Sequence, residues 1–488
     1  MGFTRGGPFG GVAREYWTSG GDTAVAFDTK GNAYFQCQVF QRGISTTNNA
    51  DASSAFYVFR STHNAGASWN FPGRPVFESY DPTGSGAFED KPLMTVDNNV
   101  GSPFQDRIYV TYTEFAPDGA ANIYESYSKD YGETFSARVL VSTTSSLCPN
   151  SVGTSGHCDA NQFSDPFVGK DGNLYVAWAN FNNSVSGPLN CLSSAIIPVP
   201  VTCDNHNQIL LSKSTNGGAS FSAPVLVANY YEVPDCATYQ AGKDPGRGCV
   251  PEKGAGTNSY FRVANYPSGA VDPKDRTKVV VSFGSYINKD SKESTGCSPA
   301  TFAADGNNLY TGVKTVCNNK ILVSVSHNSG GSFNGLTTNP GALNTANQAP
   351  AQKTSSQWLQ WAAFAPDGRF VTSYYDRAYG NDETTGFMDI SVSASASPQG
   401  GVFNTARVTS SQMPPPTQFS GTFFGDYTGI SVLGGSAHPT WSDTRYNDLF
   451  VCPGTATATT PLDVCVESGG NASVANAQEA MTATVAIP

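Results

Sequence analysis

Charge is scarce in this chain of 488 residues. Asp, Glu, Lys and Arg make up 14% of it, against about 25% in an average soluble protein. What charge there is leans acidic, with 28 Lys+Arg against 39 Asp+Glu and a net charge of −11. That balance excludes the cationic surface needed to neutralise phosphate backbones, and with it a nucleic-acid binder. Long apolar runs are missing as well. No stretch of 18 consecutive apolar residues occurs, so no segment reads as a transmembrane helix. Histidine is rare, at five residues, and no Cys-x-x-Cys pair is present, which removes the usual zinc and redox signatures. A Gly-x-Ser-x-Gly elbow in a strand–helix setting and a phosphate-cradling glycine loop are also absent. No segment holds a helical period beyond two turns.

What remains is turn-forming and aromatic. Gly numbers 50 and Pro 30, while aromatics reach 12% and apolar residues 39%, enough to build a core. Eleven Cys are present, and ten fall into close sequential couples: Cys148/Cys158, Cys191/Cys203, Cys236/Cys249, Cys297/Cys317 and Cys452/Cys465. Each couple lies in a polar, Gly/Pro/Ser-bearing stretch, so the simplest assignment is five loop staples, each worth on the order of 3 kcal/mol. Disulfides persist in oxidising compartments, so the chain is expected to be secreted. Residues 1–8 lack the apolar centre of a signal peptide, and export is expected to rest on a leader removed from this chain. Cys37 stands alone in Ala33-Tyr34-Phe35-Gln36-Cys37-Gln38-Val39-Phe40 and reads as a buried small apolar residue.

A short motif, Ser/Thr-x-Asp/Asn-x-Gly-x-Ser/Thr-aromatic, recurs four times without a gap. The copies begin at Thr62, Ser128, Ser214 and Ser326 and end at Trp69, Phe135, Phe221 and Phe333. Its chemistry is that of a hairpin turn, in which Asp or Asn caps backbone N–H groups and Gly takes the positive φ. Ahead of each copy come a small-apolar strand, an aromatic-rich strand such as Leu174-Tyr175-Val176-Ala177-Trp178, and a third strand that runs into the motif. Six such units begin near Asp22, Asp90, Asp165, Arg262, Gln360 and Asp426. Four-stranded antiparallel units repeated radially predict an all-β, six-bladed β-propeller over residues 22–488, with residues 1–21 packing on it or closing it.

In a four-stranded meander the second–third and fourth–first loops share one face. All five cysteine couples fall there, opposite the recurring turns. Ends of second strands bring Arg42, Glu114, Tyr374, Tyr375, Asp376, Arg377, Asp443 and Arg445 to that face. Starts of first strands bring Asp22, Glu89, Asp90, Lys91, Asp165, Arg262, Gln360 and Asp426, with Trp358, Trp361 and Tyr427 nearby. Arginine forks suit a planar carboxylate. Asp22, Asp90, Asp165 and Asp426 read as equivalent first-strand positions, a ring of oxygen donors that could hold Ca²⁺ or could cap strand starts.

The four turns resemble the Asp boxes (bacterial neuraminidase repeats) of the sialidase superfamily, and the resemblance runs from about residue 20 to 450. Asp90-Lys91-Pro92, Phe424-Gly425-Asp426-Tyr427 and Trp441-Ser442-Asp443-Thr444-Arg445 are similar to phrases of secreted sialidase-like proteins. The resemblance implies a sialidase-like fold and a glycoside hydrolase acting on terminal acidic sugars of glycans. It further implies an arginine clamp (Arg262, Arg377 and Arg445, with Arg42 on the same rim), an acid/base Asp90 or Asp165, and a nucleophilic Tyr374, Tyr375 or Tyr427 activated by Glu114. Asp426 and Trp361 complete the expected substrate-binding set. The family's Phe/Tyr-Arg-Ile-Pro string is absent, its nearest counterparts being Phe59-Arg60-Ser61 and Phe261-Arg262-Val263-Ala264. A lyase on uronic-acid polymers and a non-catalytic glycan- or protein-binding propeller are the alternatives.

Overall fold

In a computed structural model the chain is described at residues 17, 19–41, 51–64, 66–70, 73–153, 156–183, 206–233, 248–250, 262–288, 292–293, 297, 301–302, 308–309, 317–335, 340–380, 386–416, 423–446, 450–451, 464–465 and 478–488. Six antiparallel sheets follow one another along the chain. Their first strands are Ser19–Phe27, Phe88–Val96, Asn161–Val168, Pro267–Val271, Gln357–Phe364 and Gly429–Leu433. Consecutive first strands from blade 1 to blade 6 pack on one another and form the inner ring. Each pairs outward with a second strand rich in β-branched and aromatic residues, as in Val279–Asn288 of blade 4, where all but the last residue are buried. Blade 6 borrows its outer strands from the C-terminus: Glu479–Thr482 and Val485–Ala486 both pair with Ser436–Asp443. Radial repetition leaves only short sheet edges. The six-bladed, four-stranded propeller is therefore the fold.

Burial explains the alternation. The large core cluster runs through blades 3 to 6 and includes Phe163, Tyr175, Tyr266, Phe283, Trp358, Tyr375 and Trp441. Blade 1 builds its own cluster around Cys37, Tyr57 and Phe59, with Trp17 stacked on Tyr80 at 5.5 Å. Cys37 is the free, buried thiol its flanking sequence implies.

The recurring turns share one hydrogen-bond scheme. Ser128 Oγ accepts from Gly132 N at 2.9 Å and donates to Asp130, whose carboxylate also takes the Thr134 amide at 2.9 Å. Ser214/Asn216/Gly218 and Ser326/Asn328/Gly330 repeat it. The glycine amide turns inward because each of these glycines holds φ between 76° and 89°, a conformation that costs glycine nothing. The first copy differs: Ser61, not Thr62, receives the Gly66 amide, and His63 absorbs the extra residue with φ 52°.

Cys148–Cys158 is bridged between blades 2 and 3, and Cys297–Cys317 between the second and third strands of blade 4. Cys249 is also disulfide-bonded. Cys191, Cys203, Cys236 and Cys452 lie outside the described residues, as does the side chain of Cys465. Among the described residues no helix is long and apolar enough to cross a membrane.

Candidate active site

Four of the inner strands carry the same irregularity. Asp22-Thr23, Lys91-Pro92, Phe163-Ser164 and Leu359-Gln360 each face a single residue of the second strand. In every case the first residue of the bulge is a non-glycine with positive φ: 39° at Asp22, 59° at Lys91 and Phe163, and 49° at Leu359. Each such residue costs on the order of 1–3 kcal/mol. A bulge re-aims side chains that a regular strand would alternate between faces, and here four bulges do so around one axis. The expectation that Asp22, Asp90 and Asp165 hold equivalent positions is corrected by this register. Asp22 opens its bulge, Asp90 precedes its own, and Asp165 directly follows its own.

The result is a charged cluster drawn from four blades. Lys91 Nζ lies 2.8 Å from Asp426 Oδ2, 3.7 Å from Asp22 and 3.8 Å from Asp90. Arg262, on the segment leading into blade 4, reaches the same Asp426 oxygen at 2.9 Å. A lysine ammonium lies amid these carboxylates. Among the described residues, no group of three or more His, Cys, Asp or Glu is spaced to hold a metal ion. Asp22 and Asp90 expose 18% and 26% of their side chains, against 7% for Asp426. The first two are therefore the carboxyls that an incoming ligand can touch.

Beside the charges stands an aromatic wall. Tyr427 packs against Tyr266 at 5.6 Å, Phe163 at 6.2 Å and Trp361 at 6.5 Å. The Lys91 ammonium sits over the Phe163 and Tyr427 rings at 5.6 and 5.9 Å, a geometry that favours the cation. Gln360 donates to the Tyr266 carbonyl at 2.6 Å and fixes blade 5 against blade 4.

Burial decides protonation here. Asp22 is pushed up to about 7, chiefly by desolvation, with Asp90 and Asp426 adding and Lys91 and Arg262 opposing. Asp165, fully enclosed, also rises to about 7 by burial, offset in part by the Gly269 amide at 2.7 Å. Burial, and then the neighbouring carboxylates, hold the Tyr427 phenol well above its usual range. Asp22 Oδ2 and Tyr427 Oη are buried without a hydrogen-bond partner among the described residues, which is uncommon for buried polar atoms.

The remaining candidates sit elsewhere. Glu114 is ion-paired with Arg138, whose guanidinium stacks on Tyr124, so it is committed to the outer part of blade 2. Tyr374 bonds Ser393 at 2.6 Å and Gln352 at 2.9 Å inside blade 5. Tyr375 stacks on Trp358 and bonds the backbone of Ser442. Burial raises both phenols. Arg377, 1% exposed, lies over Trp358, and Arg445 is held by Asp443 at 2.7 Å and Ser410 at 3.1 Å. Of the three clamp arginines, Arg262 joins the carboxylate cluster, whereas Arg377 lies over Trp358 of blade 5 and Arg445 pairs with Asp443 of blade 6. Arg42 lies outside the described residues. Sequence reasoning placed Lys91 on the rim without a role, and missed Phe163 and Tyr266. The signal was there in the Asp90-Lys91-Pro92 string, where proline inside a strand marks a bulge.

No family model matches the chain, and no curated protein does either. Solved structures resemble it in fold. A protein of unknown function from Dyadobacter fermentans is 11% identical, with 91% of this chain and 93% of that one covered and a TM-score of 0.46. An α-L-arabinofuranosidase from Fusarium graminearum is 9% identical over 86% of each chain, with a TM-score of 0.44. A Hadza microbial sialidase is 11% identical, covers 87% of this chain and 64% of its own, and also scores 0.44.

Proposed function

We propose that this protein is a glycan-active propeller enzyme, a glycoside hydrolase working at the channel mouth. The observation that carries this reading is a set of carboxyl groups around one ammonium in contrasting surroundings. Asp22 is partly exposed and keeps its proton up to about pH 7, while Asp426 receives Lys91 and Arg262 on one oxygen. Glycoside hydrolysis needs such a division, with one carboxylic acid protonating the leaving oxygen and one carboxylate assisting across the ring. Asp22 takes the acid role and Asp90, the most exposed of the three, the partner role. Asp426 fixes the two cations. Trp361 and Tyr427 offer ring faces on which a sugar stacks.

A tyrosine nucleophile is not part of this reading. Burial raises the Tyr374, Tyr375 and Tyr427 phenols, and Glu114 is occupied by Arg138. The bridged cysteines suit an oxidising compartment, and we place the protein outside the cell.

The test is sugar release from a panel of arabinosides, sialosides and uronides. Asp22→Asn and Asp90→Asn should each lower kcat/KM by about 100-fold or more, and wild-type kcat/KM should fall above about pH 7 as Asp22 loses its proton. The same contacts also tie blade 6 to blades 2 and 4. Full turnover in Asp22→Asn, or none in the wild type, would reduce the cluster to a latch that closes the ring.

A further inference from the structure

A second feature opens on the same face as the channel mouth, at the junction of blades 4 and 5. It is a cavity of about 630 Å³, and three of its lining residues are lysines: Lys292, Lys320 and Lys353. They come from three separate segments. Lys292 lies beyond the second strand of blade 4, Lys320 sits in its third strand, and Lys353 is on the short 3₁₀ turn Pro350–Thr354 that leads into blade 5. The rest of the described lining is neutral: Ile287, Thr345, Asn347, Gln348, Pro350 and Thr354.

The partners of these amines make the cavity unusual. Lys320, 3% exposed, donates to the carbonyls of Gln352 and Ser355. Lys292 donates to those of Leu343 and Gly341. Carbonyl oxygens satisfy an ammonium's donors but do not cancel its charge. Among the described residues no carboxylate pairs with Lys292 or Lys353. Of the neighbouring acids, Glu293 takes the Tyr231 hydroxyl at 2.6 Å, and Asp376, bonded by Gln352, Gln357 and Ser391, also feels the charge of Lys320, so the ammonium groups left for a ligand are chiefly Lys292 and Lys353. Burial also holds the Lys292 ammonium below the usual lysine range, which an incoming anion would relieve. In a chain of net charge −11, three cations converging on one neutral-walled cavity form a local field of the opposite sign.

We infer that this cavity is a secondary subsite for an anionic group, a carboxylate or sulfate ester, on an extended polysaccharide whose neighbouring unit reaches the channel. The choice of a polysaccharide rests on the glycan-acting reading, while anion binding at the lysines stands on the cavity alone. Acidic specificity then resides here, away from Lys91 and Arg262, whose charges Asp426 already occupies.

Calorimetric titration tests it, using oligogalacturonate, a sulfated galactan oligosaccharide, a neutral arabino-oligosaccharide and inorganic sulfate. At least one acidic oligosaccharide should bind more tightly than the neutral one and weaken with salt. The double variant K292Q/K353Q should bind it about tenfold more weakly or worse, the loss of charge-assisted hydrogen bonds to the anion. K353Q alone, at an exposed position, should move affinity in the same direction and guards against misfolding of the double variant. Equal binding of acidic and neutral oligosaccharides, or of wild type and both variants, overturns the inference. Binding of inorganic sulfate with neither acidic oligosaccharide overturns its assignment to a polysaccharide. D22N separates the two readings: if it binds acidic oligosaccharide normally and also turns over sugar normally, the hydrolase reading fails while the subsite stands.

Discussion

Lys91→Met keeps the length of the side chain and removes its charge. The ammonium it deletes meets Asp426 at 2.8 Å, Asp22 at 3.7 Å and Asp90 at 3.8 Å, with 8% of the side chain exposed. Removing one partner of a buried ion pair costs about 3–5 kcal/mol, because the charge left behind stays desolvated. Here three carboxylates are left facing one another with Arg262 as partial compensation, so a loss of about 4 kcal/mol at pH 8 is expected. The deficit must depend on pH. Without Lys91, the strongest influence lowering Asp22, the carboxyl groups take protons at higher pH than the unfolded chain does. Each proton held only by the folded state makes stability fall by about 1.4 kcal/mol per unit of rising pH. The variant should therefore lose more stability at pH 8 than at pH 5. Urea unfolding followed by tryptophan fluorescence is the assay, since guanidinium would screen the charges under test. Lys91→Met/Asp426→Asn should be less unstable than the sum of its single changes, by 1 kcal/mol or more, as expected for groups in contact. A loss below about 1 kcal/mol at both pH values, or strict additivity, would refute the claim that these groups form one buried, coupled unit.

Three further outcomes follow from the same structure. In the wild type, Asp22, Glu89 and Asp165 all hold protons up to about pH 7 for reasons of burial, whereas unfolded carboxyls release them near 4. The folded chain is thus the more protonated between these values, and the urea midpoint should fall as pH rises from 5 to 8. Ser128→Ala deletes the acceptor for the Gly132 amide and a donor to Asp130; it should cost about 1–2 kcal/mol in urea unfolding, and an unchanged midpoint would show that the turn does not depend on its cap. Replacing both Cys148 and Cys158 with Ser should cost about 3 kcal/mol through the freed loop, measured by thermal unfolding with and without reductant, reductant having little further effect on that bridge once it is gone.

The propeller was legible because each blade is announced by local chemistry. A Ser–Asp/Asn–Gly turn dictates its own hydrogen bonds within a few residues, and alternation over five to nine residues states which face of a strand is buried. The site was legible only by region. Period-two reasoning sends Lys91 to the face opposite Asp90, yet the bulge turns both toward the axis. Positive φ on Asp, Lys, Phe or Leu carries no sequence signature, since glycine is what that conformation usually asks for, and of the four bulges only the one at Lys91-Pro92 is hinted at, by its proline. Partner choice was hidden for a different reason. Glu114 and Arg445 have partners close by in their own blades, Arg138 and Asp443, and a nearby partner wins over a distant pocket because it needs no further ordering of the chain. Lys91 and Arg262 instead find Asp426 at sequence separations of 335 and 164. Such contacts exist only once the ring is closed. Charges that meet only after closure stabilise the closed state without stabilising any single blade, so the strain of four bulges is tolerable at the axis and would not be in an isolated sheet. The groups that lock the ring are then also those whose protonation is unusual, and catalysis is best sought where closure has placed them.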